Sequence, residues 1–340
     1  MVEGTAQFSL RESSPRHPSP TGALSSATSV TRPAADAKRA VRQPAEVVPR
    51  RGVVRAALVT IRPRQWVKNS LVIAAPAAAG ALAHDDVPGR VALAFVAFSL
   101  LASGIYAFND VRDAEEDRRH PRKRYRPVAA GELQPRTALA VGATLMILGL
   151  VGCFLVQPTL ALVGAGYLAL TLSYTTLWRR VVIADVLAIA GGFVLRAIAG
   201  GVAAPVELSR WFVLVVVFSA VFIAAGKRHA ELRRTRFGQG GGRPVLHLYT
   251  ASQLTLIVTA SMALAIVAYL MWAVSGPLVE GVPWRMITVA PFAACLMRYA
   301  ILLRRGDGEA PEDLVFGDRW LRLFALAWVV TFAVTIHATH

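Results

Sequence analysis

The stretch Asn109-Asp110-Val111-Arg112-Asp113-Ala114-Glu115-Glu116-Asp117 gathers carboxylates at the end of a long apolar run. Asp110 and Asp113 are three residues apart, and Asp113 and Asp117 four. A helix continued through them sets all three on one stripe, with Asn109 one turn before Asp113. Like charges at that spacing repel each other. A divalent cation among them removes the repulsion, and Mg²⁺ suits a few carboxylates combined with substrate phosphates. The plain alternative is a solvated helix end carrying ordinary surface acids.

Cations follow at once, in His120-Pro121-Arg122-Lys123-Arg124-Tyr125-Arg126-Pro127. Acids followed by a basic cluster in one loop fit a metal-bridged diphosphate whose other oxygens are held by Arg and Lys, Arg124 and Arg126 among them. Upstream, Arg62-Pro63-Arg64-Gln65-Trp66-Val67-Lys68-Asn69 leads into an apolar run. Trp66 reads equally as an interfacial anchor, but Lys68 and Asn69 sit at the bilayer edge rather than in a loop. A second polar group comprises Tyr174, Arg179, Arg180 and Asp185, and Arg196 lies three helical turns beyond Asp185. A charged residue within an apolar run is a functional candidate or half of an internal pair. Further on stand Lys227-Arg228-His229-Ala230-Glu231, where Lys227 and Glu231 are spaced for a simple surface pair. The seven histidines are scattered, and neither a Gly-x-x-x-x-Gly-Lys loop nor a Ser/His/Asp arrangement is present.

These residues need elements to hold them, and composition says which. Of 340 residues 55% are hydrophobic and 17% charged, against about 25% charged in an ordinary globular domain. That excludes a disordered protein, and two cysteines in apolar runs, Cys153 and Cys295, exclude a disulfide scaffold. Apolar runs near 68–84, 91–109, 137–156, 159–178, 183–204, 210–226, 251–274, 284–303 and 319–337 predict nine transmembrane helices. The fold expected is therefore an all-α membrane protein: residues 1–55, rich in Pro, Ser and Ala, form a disordered cytoplasmic tail, and residues 56–340 a nine-helix transmembrane catalytic domain. The loops after runs two, four, six and eight hold eighteen Arg or Lys residues, whereas the alternate loops hold only Arg90, Arg210 and Arg285. Basic residues near helix ends stay in the cytoplasm, so the polar clusters and the N-terminus face inward. The net charge of +16 thus follows membrane sidedness, with membrane lipids and no nucleic acid as partners.

Together the motifs resemble the UbiA superfamily of intramembrane prenyltransferases over roughly residues 56–340. Members of that superfamily commonly carry a second Asp-x-x-x-Asp pair, whereas here Ile189 stands four residues after Asp185. The details are similar to the decaprenyl-phosphate phosphoribosyltransferase branch. The resemblance rests on Arg62-Pro63 with Gln65-Trp66-x-Lys68-Asn69, on Asn109-Asp110-x-x-Asp113-x-x-x-Asp117, and on Tyr174 followed by a basic residue and Asp185. It rests also on Arg196-Ala197-Ile198-Ala199-Gly200-Gly201, on Gly226-Lys227-Arg228-x-Ala230-Glu231-Leu232, and on Pro311-Glu312 and Asp318-Arg319. Arg179 stands where that branch has Lys.

This resemblance implies a UbiA-like bundle in the plasma membrane, with its active site at the cytoplasmic face. The implied reaction moves 5-phosphoribosyl from phosphoribosyl diphosphate to decaprenyl (polyprenyl) phosphate and supplies arabinose donors for the cell wall. Asp110, Asp113, Asp117 and Asp185 would be catalytic, with Mg²⁺ on Asn109, Asp110, Asp113 and Asp117. Lys68, Asn69, Arg124, Arg126, Tyr174, Arg179, Arg196, Lys227 and Arg228 would bind substrate, and a homo-oligomer is allowed. An aromatic-acceptor prenyltransferase of the same fold and a transporter are the competing readings; a transporter would carry broken helices midway through the bilayer. The charge asymmetry yields a topological expectation. Cysteines introduced as Glu115→Cys and Gly238→Cys should react only with reagents reaching the cytoplasm, and Glu280→Cys only from outside. Outward labelling at position 115 would reverse the assignment.

Overall fold

A computed structural model describes residues 51–121, 123–178, 182–236, 250–276, 281–305 and 317–339, with Leu278 and Leu314 besides. The expected tail, 1–55, lies outside them up to residue 50. The described residues are helices joined by turns and short loops, with no strand among them. The helices are α1 (Val53–Thr60), α2 (Leu71–Ala78), α3 (Val87–Arg112), α4 (Ala114–Arg119), α5 (Pro135–Val156), α6 (Pro158–Ser173), α7 (Val182–Ala203) and α8 (Arg210–Arg236). The remainder are α9 (Ala251–Val274), α10 (Trp284–Ile287), α11 (Val289–Arg305) and α12 (Arg319–Thr339). Among the described residues, eight helical stretches are long and apolar enough to cross a bilayer. They account for the second to ninth expected runs. The first, 68–84, is a composite: a 3₁₀ segment over Pro63–Ser70 runs into the short α2, which holds Pro76, and a 3₁₀ turn over Ala81–Ala83 follows.

α3 is the axis of the bundle. It packs along α5 and also touches α2, α6 and α7. Phe98, Leu101 and Ile105 of α3 are buried with Val72, Cys153, Leu160, Tyr167, Ala199 and Ala203 in one core. Lipid is as apolar as these side chains, so close packing rather than burial from water must hold such helices together. Small residues supply it. A Cβ at Gly104 would lie 2.6 Å from the carbonyl oxygen of Gly142, so only glycine lets α3 and α5 approach this closely. A Cβ at Gly200 would overlap the carbonyl oxygen of Val72, which joins α7 to α2.

The later helices are joined by polar contacts. The Tyr269 hydroxyl donates to Thr288 Oγ1 (2.9 Å) and accepts from Trp328 Nε1 (2.8 Å), linking α9 to α12. Asp318, before α12, accepts two bonds from Arg298 (3.1 and 2.7 Å) and one from the Leu321 amide. Chiefly through Arg298, and then through that amide, its carboxyl is held down at about 2. Its contribution to stability is present above the ordinary carboxylate range and lost as pH falls toward 2. Cys153 and Cys295 are free thiols.

Gly200→Ala tests the glycine contact. Overpacking of a filled contact costs about 1–3 kcal/mol, so the purified variant should melt several degrees lower in detergent, and an unchanged melting temperature would show that α2 yields freely.

Candidate functional site

Arg62 opens the site. Its backbone is left-handed (φ 51°, ψ 64°), a region uncommon for residues other than glycine. That bend turns the chain from α1 into the 3₁₀ segment and carries the guanidinium over the Tyr106 ring, 5.1 Å from its centroid. There Arg62 donates to Oδ1 of Asp110. The segment that follows is fastened to α3: the Trp66 indole donates to Ser103 Oγ (3.0 Å), and that hydroxyl donates to the Ile61 carbonyl (2.9 Å). Trp66 is thus hydrogen-bonded within the protein. Lys68 Nζ donates to Gln65 Oε1 (2.5 Å).

The acids sit where α3 gives way to α4. Asp113 is the junction, at φ −89° and ψ 1°, and departs from the single continuous helix expected. The bonds Asp113 N–H to Asn109 O (2.9 Å) and Asp117 N–H to Asp113 O (2.8 Å) nonetheless keep the path nearly helical. Asp110 and Asp117 are buried. Arg126 bridges them: its Nη1 lies 2.6 Å from Asp117 Oδ2 and 3.4 Å from Asp110 Oδ1. The loop that delivers Arg126 is itself anchored. Arg126 N–H donates to Lys123 O, Glu132 N–H donates to Pro127 O, and Val128 and Leu133 are buried against Ala56, Ala114 and Ala138.

Arg126 therefore stands between carboxylates that would otherwise repel, and Arg62 adds a second cation at Asp110. Among the described residues, no three His, Cys, Asp or Glu side chains close around a common point. The donor chemistry still fits a hard cation. The side-chain oxygen of Asn109 is buried without a hydrogen-bond partner beside Asp110, and amide and carboxylate oxygens are what Mg²⁺ prefers.

Other sequence-predicted residues separate into groups. Arg124 turns to its neighbour Tyr125, 2.6 Å from the hydroxyl, on the exposed surface. Tyr174 begins a π-helical turn over Tyr174–Trp178, and Arg112 reaches the Thr176 carbonyl in that turn (3.5 Å). Arg179 and the side chain of Asp185 lie outside the described residues. Arg228 is buried and donates to Glu231 (2.5 Å), so Glu231 has the arginine three residues before it as a partner as well as the spacing for Lys227.

Asn69 and Arg196 come together, but away from the acids. Arg196 is 6% exposed. It donates through Nε to Asn69 Oδ1 (2.7 Å), through Nη1 to Gly192 O (2.8 Å) and through Nη2 to the Tyr167 hydroxyl (2.7 Å). Asn69 in turn donates to Ser99 Oγ (2.9 Å). Ser99 precedes Asp110 by eleven residues on α3, which is about 16 Å along the helix axis. This network fastens the 3₁₀ segment to α7. Sequence reasoning did not assign Arg62, Tyr106 or Tyr167 to the site. Arg62 was visible as a cation in the motif beginning Arg62-Pro63, and Ser99 and Ser103, four residues apart in an apolar run, marked the face of α3 that receives polar partners.

The architecture is that of a multi-pass membrane protein with an ionic site built at the end of its central helix. The sequence profile of the UbiA prenyltransferase family matches residues 70–326, and the chain belongs to that family. It is 40% identical over 289 residues to the decaprenyl-phosphate phosphoribosyltransferase of Mycobacterium tuberculosis, covering 84% of this chain and 94% of that one. The enzyme of that name from Corynebacterium glutamicum is 40% identical over 283 residues, covering 82% and 85%. Among solved structures, a UbiA homolog from Archaeoglobus fulgidus bound to GPP and Mg²⁺ has the same fold, with a TM-score of 0.63 at 18% identity, covering 84% of this chain and 99% of that one.

Arg196→Leu would leave the Asn69 carbonyl and the Tyr167 hydroxyl buried with their arginine partner removed. Loss of about 2–5 kcal/mol is expected, read by chemical denaturation, with a smaller loss for Tyr167→Phe. A stable Arg196→Leu protein with only a raised substrate KM would instead make Arg196 a substrate ligand.

Proposed function

We propose that this protein transfers 5-phosphoribosyl from phosphoribosyl diphosphate to decaprenyl phosphate and releases diphosphate, at the cytoplasmic face of the plasma membrane. The observation that carries the reading is an identity of about 40% to decaprenyl-phosphate phosphoribosyltransferases over more than four fifths of the chain. The cation-rich site supports it, because two phosphorylated substrates need more positive charge than one. In this reading the product feeds the arabinose donors of the cell-wall arabinan.

The chemistry needs no general base. A phosphate monoester has a second pKa near 6, so the lipid phosphate is already largely a dianion at neutral pH and can attack the anomeric carbon of ribose. What remains is to position the reactants and stabilise the departing diphosphate. Asn109, Asp110, Asp113 and Asp117 are the proposed holders of Mg²⁺, which when bound supplies charge neutralisation to the leaving group. Asp185 adds a further carboxylate for the ribose hydroxyls or the metal. Arg126 with Lys68 and Arg124 serves the diphosphate end, and Lys227 and Arg228 the remaining phosphates, with Tyr174 and Arg179 as further substrate-binding residues. Asn69 and Arg196 hold the segment bearing Lys68 in place. Attack from the side opposite the leaving group inverts the anomeric centre, giving a β-linked product from an α-configured donor. The prenyl chain lies in an apolar groove between helices that is open to the lipid.

Full-length protein in detergent, given labelled phosphoribosyl diphosphate, decaprenyl phosphate and Mg²⁺, should form a labelled phospholipid; chelator should abolish the product and Mg²⁺ restore it. Asp113→Ala and Asp117→Ala should each lower kcat on the order of a hundredfold or more without loss of the folded protein. A protein that ignores phosphoribosyl diphosphate but prenylates a phenolic acceptor would refute the assignment.

A further inference from the structure

Four side chains at the end of α3 are linked by ion pairs: Asp110 and Asp117 with Arg62 and Arg126. Their exposures differ in a way that orders events. The carboxylate side chains are only 2% and 3% exposed, whereas those of Arg62 and Arg126 are 28% and 29% exposed. The arginine side chains are thus the accessible part of this group, and the acids lie behind them. Between the acids, the space a cation needs is spanned by Arg126 Nη1, in reach of both carboxylates.

Among themselves these four side chains are formally neutral, two negative charges against two positive, and Asp113 at the α3–α4 junction adds a further carboxylate. A divalent cation entering alone would bring two more positive charges against Arg62 and Arg126, and it would have to displace a charge-assisted bond of 2.6 Å. A diphosphate changes the balance. It offers both arginines phosphate oxygens in the bidentate geometry that guanidinium favours, and it brings more negative charge than the cation brings positive.

We propose that Arg62 and Arg126 are exchanged from carboxylate to diphosphate as the donor binds, so that metal and diphosphate load the site only together. Arg62 is then a diphosphate ligand, one that complements the cations already assigned. The carboxylates of Asp110 and Asp117 and the buried oxygen of Asn109 become open to the metal at the moment the arginines leave them. By linkage, the factor by which diphosphate tightens the metal equals the factor by which the metal tightens diphosphate. This rests on the proposed metal–diphosphate site but not on the identity of the sugar or the lipid.

The test is Mn²⁺ binding to full-length protein in detergent, followed by electron paramagnetic resonance, with Mn²⁺ alone and with preformed manganese–diphosphate. Wild type should bind bare Mn²⁺ weakly and the diphosphate complex tightly. Arg126→Gln and, independently, Arg62→Gln should bind bare Mn²⁺ about tenfold tighter than wild type and the complex about tenfold more weakly, within the usual range of site-to-site coupling. Arg126→Lys keeps the charge and should leave bare Mn²⁺ weak, which separates charge exchange from altered folding. If wild type binds the complex but the Gln variants gain nothing for bare Mn²⁺, the exchange is overturned while the metal–diphosphate site stands. If wild type binds neither form, that site and the exchange both fall.

Discussion

Burying a charge in an apolar bundle is costly unless it is paired and hydrogen-bonded, and the arrangement of the polar residues here follows from that constraint. Asp110 and Asp117 can be carried into the protein because Arg62 and Arg126 meet them. Meeting them requires the left-handed bend at Arg62, the tight loop from Lys123 to Leu133, and the small apolar platform of Ala56, Ala114 and Ala138 beneath it. The site is therefore a consequence of how the loop and the 3₁₀ segment are anchored as much as of the motif itself.

A second consequence lies deeper. Arg196 has no described carboxylate facing it, yet three of its nitrogens are satisfied by neutral oxygens from α7, α6 and the 3₁₀ segment. The Tyr167 ring beneath it, 4.7 Å from the guanidinium carbon, adds a cation–π contact. Neutral acceptors hold a cation without cancelling it. They also tie the segment carrying Arg62 and Lys68 to α7, so the position of the ionic site depends on a contact buried about 16 Å along α3 from it.

Glycine does the equivalent work for the backbone. At Gly104 and Gly200 neighbouring helices approach to distances that a methyl group would block. In a lipid environment this packing replaces much of what hydrophobic burial does in water. α3 gains its packed position through it, and with that position the role of holding the buried acids at its end.

Much of this was legible from the chain. Runs of apolar residues dictated the membrane class and eight of the spans, because helix length against bilayer thickness is a local property. The spacing Asp110, Asp113, Asp117 marked the carboxylates gathered at the end of α3, and the basic cluster after it contains Arg126, which pairs with two of them. The composite first element was not legible, since a 3₁₀ segment, a short helix and a turn share the composition of one apolar run. Nor were the partners. Arg62 meets Asp110 across 48 residues, and Arg196 meets Asn69 across 127. Sequence alone could offer Arg196 as a substrate ligand, because an intramembrane cation invites that role. Only the tertiary structure showed that fixed neutral acceptors surround it. Local spacing sets which side chains share a helix face, but only the packing of distant helices determines which charges lie close enough to neutralise each other.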